Sequence, residues 1–129
     1  MNKRIEQHTQ AVLYRPVLSG LAFAYVLTLT CTLIYAIVVV AAPLAEKSAS
    51  LVIRGTVMFA AFAGGLYAGR RSDRVGWLHG ALVGILYVAG VMLVGRFVVS
   101  EIAPTVIVAQ RLAVASVVAA IGGIAGVNL

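Results

Sequence analysis

The chain has 129 residues, of which 62% are hydrophobic and 11% charged, with a mean hydropathy of +1.04 and a formal net charge of +6. A soluble domain carries about 25% charged residues, so this composition cannot clothe an aqueous surface, and it is far too apolar for a disordered chain. An integral membrane protein remains; at about 20 residues per spanning helix, the length holds four spans with short loops and no large soluble enzyme domain.

Residues 1–15 (MNKRIEQHTQAVLYR) are polar and end at Arg15-Pro16. They read as a cytoplasmic N-terminal segment, and 16–129 as a single membrane domain. The first predicted span covers about 16–42 without a charge, and Pro43, Glu46, Lys47 and Ser48 close it. Its apolar stretch is far longer than the 7–15 residues of a signal peptide, so a retained helix is expected. Cys31 is the one cysteine, which excludes an intrachain disulfide and a cysteine-based metal site. Thr28, Thr30 and Thr32 can return their hydroxyls to carbonyls of their own helix.

The second span is expected over about 51–69, with Arg54 one turn inside its start and able to snorkel to the headgroups. The third covers about 77–99, with Arg96 near its end in the same role. The fourth starts between Val106 and Leu112 and is placed at about 106–129, with Arg111 just outside or one turn inside. The fold class is therefore all-α integral membrane with four transmembrane helices.

Lysine and arginine counts in short loops set orientation. One side holds Lys3, Arg4, Arg15, Arg70, Arg71 and Arg74; the other holds Lys47, Arg54, Arg96 and Arg111. The bias of six over four places both termini in the cytoplasm. The basic balance records this orientation and contact with anionic lipid, not nucleic-acid binding, because no basic run is interleaved with exposed aromatics.

A shift of 57 residues places Arg54 on Arg111, Gly65 on Gly122, Ala68 on Ala125 and Gly69 on Gly126. The second and fourth spans then share Arg-x10-Gly-x-x-Ala-Gly. A duplicated helical hairpin would produce this, and so would chance among sequences rich in Ala, Val, Leu and Gly.

Glycine spacing is the clearest constellation. Gly76, Gly80 and Gly84 recur every four residues in the third span; Ala61, Gly65 and Gly69 do so in the second, beside Ala60, Gly64 and Ala68. Gly122 and Gly126 supply a small face on the fourth, and Gly20, Ala24, Thr28, Thr32 and Ala36 on the first. Residues four apart share a helix face, and small faces let backbones approach closely in lipid. The expected use is internal bundle packing; the alternative is that one stripe faces outward and docks on a partner.

The segment GRRSDRVGWLHG (69–80) offers a second site. Arg70, Arg71, Arg74 and His79, with Trp77 beside them, are candidates for contact with a lipid phosphate, since arginine binds phosphate bidentately. The plainer reading is a topological anchor with Trp77 as an interfacial aromatic. Asp73 reads as a local partner for a neighbouring arginine or as a turn residue.

The absences narrow the function. No Asp, Glu or Lys lies in the central part of any span, where such residues mark ion and substrate paths. A small dimeric multidrug exporter would need a membrane-embedded Glu in its first helix, and this first helix has none. H-E-x-x-H, G-x-S-x-G and P-loop patterns do not occur. No catalytic, cofactor-binding or metal-ligating residue is assigned.

GGLYAG, a short basic loop, and then GWLHGALVG resemble the small four-span membrane proteins of the YrzE type, found in Gram-positive, spore-former-like bacteria. The match falls on Gly64, Gly65, Gly69, Gly76, Trp77, Leu78 and Gly80. The resemblance implies a four-span fold in a bacterial plasma membrane and no established activity. The expected function is a non-enzymatic structural or interaction module that packs with itself or with a larger membrane-protein partner in the bilayer. A small oligomeric transporter or channel subunit is the alternative, and a lipid-headgroup enzyme built on the arginine loop is the least supported.

Overall fold

The computed structural model describes residues 2–42, 46–72, 75–98 and 104–129, and the side chains among these from residue 14 onward except 46 and 47. It contains four helices: α1 (Asn2–Ala41), α2 (Glu46–Arg70), α3 (Gly76–Val98) and α4 (Thr105–Asn128). Each holds a segment long and apolar enough to cross a membrane, starting at Tyr14, Ser48, Gly76 and Thr105. The chain is an all-α, four-span membrane protein.

Several starts differ from the expected ones: α2 begins at Glu46, before the expected 51, and α1 and α4 differ as well. α1 does not begin at Pro16; the helix runs unbroken from Asn2, with Pro16 inside it. An interior proline removes one i→i−4 hydrogen bond and crowds the i−4 carbonyl, and the helix nonetheless continues through Pro16 among helix-favouring Lys, Arg, Glu, Gln and Ala residues. The Ser19 hydroxyl donates to the Pro16 carbonyl at 3.0 Å. α4 begins at Thr105, where the Pro104 carbonyl accepts from the Ile107 and Val108 amides at 2.9 and 3.2 Å. Arg111 therefore lies well inside α4.

α2 and α3 contact each other; α4 fills the groove on one side of this pair and α1 the groove on the other. Among the described residues α1 does not touch α4. The close approaches are backbone to backbone. A Cβ at Gly65 would overlap the Ala119 carbonyl oxygen, and one at Gly69 the Gly123 carbonyl oxygen. Reciprocally, a Cβ at Gly122 or Gly126 would overlap the carbonyls of Phe62 or Leu66. α2 and α4 thus run parallel and exchange equivalent contacts about a local two-fold axis. Gly76, Gly80 and Gly84 of α3 descend antiparallel along Gly123, Ala119 and Ala115 of α4. Gly20 of α1 seats against Gly64 and Ala68, with 2.6 Å from its ideal Cβ to the Gly64 oxygen. Without hydrophobic force between helices in lipid, this dense dispersion contact is what holds them.

The two hairpins are not equivalent as wholes. Positions 57 residues before Gly80 and Gly84 are Phe23 and Leu27. α1 cannot follow α2 as closely as α3 follows α4, and it leans on Gly20 and Ala24 instead.

Packing is concentrated at the end of the bundle that carries the α2–α3 loop, here the loop end. Ala60, Ala61 and Ala68 of α2, Val83 and Tyr87 of α3, and Ala115 and Ala119 of α4 have no exposed surface. Toward the opposite, far end the helices carry Phe97, Leu93, Ile53 and Leu51, all exposed. The helices part there: among the described residues nothing lies within 4 Å of an ideal Cβ at Gly55 or Gly95. Tyr87 closes the packed region. Thr28 donates to the Ala24 carbonyl at 2.8 Å, so its oxygen accepts from the Tyr87 hydroxyl at 2.6 Å. The Tyr25 hydroxyl reaches the Tyr87 carbonyl at 3.3 Å through space left by Gly90.

Candidate functional site

The loop-end residues singled out in the sequence occupy three different settings. His79 opens the second turn of α3 and turns inward, 5% exposed. Its Nδ1 lies 2.8 Å from the Val75 carbonyl and 3.0 Å from the buried Ser72 hydroxyl. A carbonyl only accepts, so Nδ1 carries the proton and the two oxygens share it. His79 therefore closes the α2–α3 turn.

Arg71 is exposed, with its guanidinium 4.8 Å above the Tyr67 ring centroid. Tyr67 in turn stacks on Phe23 of α1 at 4.9 Å and an interplanar angle of 8°. This three-layer stack clamps the end of α2 to α1. Arg70 is exposed, and Trp77 projects outward with 54% of its surface free. Asp73 and Arg74 lie outside the described residues. The placement of Arg70, Arg71 and Trp77 suits an interfacial anchor, and His79 stands apart from them.

Arg70→Lys combined with Arg71→Lys is expected to leave insertion and orientation unchanged. Charge is kept, and the stacking of the Arg71 guanidinium on Tyr67 is worth only about 0.5–1 kcal/mol at an exposed site. Thermal unfolding in detergent with a topology reporter checks this. Loss of anionic-lipid retention with normal insertion would instead mark the loop as a phosphate site.

All eight glycines read as packing positions lie at helix–helix contacts: Gly64 toward α1, Gly65 and Gly69 toward α4, Gly76, Gly80 and Gly84 toward α4, and Gly122 and Gly126 toward α2. Their stripes are used inside the bundle. Gly123, absent from the i, i+4 stripe, is the residue where α2, α3 and α4 meet: Cβ atoms at both Gly69 and Gly76 would overlap its carbonyl oxygen. Its position beside Gly122 was the available signal, since two adjacent glycines can serve two faces.

The far end holds a feature that the pattern of spans does not reveal. Where α2, α3 and α4 part, a partly enclosed cavity of about 360 Å³ remains. Arg54 of α2 and Arg111 of α4 both line it, with Val57, Met58, Val91 and Met92 as apolar wall. Each arginine read alone is a snorkelling residue; the fold brings the two to one space. A smaller cleft between α1 and α2 is lined by Thr28, Thr32, Tyr35 and Thr56 among others.

A family model described as "Protein of unknown function (DUF3792)" matches residues 13–126. No curated protein and no solved structure matches the chain.

Proposed function

The chain belongs to the DUF3792 family of proteins of unknown function, and from that premise we propose that it is a non-enzymatic structural or interaction module of a larger membrane assembly. The observation that supports this is the state of α1. Its second half leaves the bundle with Leu29, Leu33, Ile34, Ile37 and Val40 all more than half exposed. Only 6% of the spanning window of α1 is buried, against 22% in each of the other three. The glycine stripes of α2, α3 and α4 are occupied internally, and the second half of α1 is the length of helix least packed on its own bundle, which leaves it for another membrane helix, from a second copy or a larger partner.

Cysteine crosslinking tests it. With Cys31→Ala as background, Val40→Cys and Ile37→Cys are expected to give a discrete crosslinked species in native membranes. Monomer alone at both positions would mean that this face meets lipid, and the reading would fall. A small oligomeric transporter or channel subunit is the second reading, favoured by the far-end cavity and disfavoured by the lack of Asp, Glu or Lys in the central part of any span.

The same proposal carries the finer location: a bacterial plasma membrane, a relation to the YrzE type, and both termini cytoplasmic. The three arginines of the 70–74 segment support that orientation. Reporter fusions after Ser72 and at the C-terminus are expected to report cytoplasm, and one after Lys47 the outside. External signals from both the Ser72 and the C-terminal fusions would reverse the orientation, and one from the C-terminus alone would end the four-span reading.

A further inference from the structure

We propose that the far-end cavity between α2, α3 and α4 binds a phosphate-type anion carrying an apolar tail, with Arg54 and Arg111 as its two ligands. The first support is register. The α2–α4 contact pairs residues 54 apart on one side, Gly65 with Ala119 and Gly69 with Gly123. On the other side it pairs residues 60 apart, Phe62 with Gly122 and Leu66 with Gly126. Residues 57 apart therefore sit at one level of the parallel pair, and 111 − 54 = 57. The shared Arg-x10-Gly pattern sets the backbones of Arg54 and Arg111 at one level of the α2–α4 pair, and both residues line the cavity.

Depth is the second support. Each arginine lies six positions beyond the start of its spanning segment, Ser48 or Thr105, which is about 9 Å along the helix. A single arginine at that depth can snorkel out. Both arginines are exposed to the one cavity they line and give it positive charge, and none of the described residues lining it is acidic. An anion there finds two cationic ligands, and guanidinium groups bind phosphate through paired N–H donors.

The walls supply the rest of the recognition. Val57, Met58, Val91 and Met92 form an apolar surface continuous with the arginines. A volume of about 360 Å³ falls in the range of small-molecule sites and far exceeds that of a bound water. A charged head with an apolar tail fits this combination; a bare inorganic ion uses only half of it. The head could come from a membrane phospholipid or from a soluble phosphate ester, and the two are separable.

The test uses the full chain in nanodiscs of phosphatidylcholine with a minor fraction of phosphatidylglycerol, with retained lipid counted by native mass spectrometry after transfer to mild detergent. The wild type is expected to retain phosphatidylglycerol preferentially. Arg54→Gln with Arg111→Gln is expected to lower that preference at least tenfold. Arg96→Gln, which removes one far-end charge outside the cavity, is expected to leave it unchanged. Met92→Trp fills the cavity without altering charge and is expected to lower retention as the arginine pair does; it carries the test if the double variant does not fold.

A parallel titration with inorganic phosphate and with dodecyl phosphate, read by thermal shift, identifies the source. Lipid retention without a shift from either assigns a phospholipid headgroup, and a shift from dodecyl phosphate with little lipid retention assigns a soluble ester. Equal retention of both lipids by the wild type with no shift from dodecyl phosphate would overturn the proposal. So would an Arg96→Gln effect as large as that of the arginine pair.

Discussion

Gly123→Leu is expected to destabilise the bundle more than any other single glycine substitution. Three helices converge at this residue. A Cβ there would overlap the Gly76 carbonyl oxygen and lie 3.1 Å from the Gly80 Cα, and the Gly123 carbonyl itself blocks side chains at Gly69 and Gly76. The obstructing atoms are backbone, which cannot rotate aside as a side chain can. Relief requires α3 to move off α4, which forfeits the dispersion attraction along the whole seam. The cost should reach about 3 kcal/mol or more, the upper end for overpacking.

Gly95→Leu is the matched control. Among the described residues nothing lies within 4 Å of a Cβ at Gly95. That substitution should be neutral or stabilising by up to about 1 kcal/mol, because glycine is the poorer helix former. Thermal unfolding in detergent, followed by size exclusion, reads both. If Gly123→Leu melts with the wild type, the three-helix junction is not where the structure places it.

Gly80→Leu should destabilise far more than Ala81→Leu, by about 1–3 kcal/mol. Gly80 is buried, and its Cβ would overlap the Ala119 carbonyl oxygen and approach the Gly123 Cα to 3.1 Å. Ala81 points about 100° away on α3 and is partly exposed. Both variants add apolar bulk, so insertion should be equal and only packing separates them. Gly80→Ala sharpens the test. A stripe that merely wants small residues would accept alanine, whereas a backbone approach this close would not. Equal stability of Gly80→Leu and Ala81→Leu would put the stripe against lipid.

The amino-acid order alone is enough to read a four-span membrane protein, because span length and apolarity follow from bilayer thickness and need no tertiary contact. It also marked which helix positions are small. In lipid, where every helix face is apolar, side-chain size is the remaining periodic signal, and Gly76, Gly80 and Gly84 carry it plainly. It did not disclose that Pro16 lies within a helix, because an interior proline usually ends or kinks one.

The pairing of faces was decided only by the tertiary structure. Gly64 and Gly65 are adjacent, yet one meets α1 and the other α4; Gly122 meets α2, while Gly123 serves α2 and α3. Neighbours on a helix point about 100° apart, and nothing in their identity says which partner stands in which direction. The same holds for Arg54 and Arg111. Each is an ordinary interfacial arginine along the chain, and the 57-residue match between them could be set down to duplication or chance. The parallel seating of α2 on α4, where glycines let the backbones touch, turns that spacing into a common level, and the parting of the helices toward the far end opens the cavity the two arginines line.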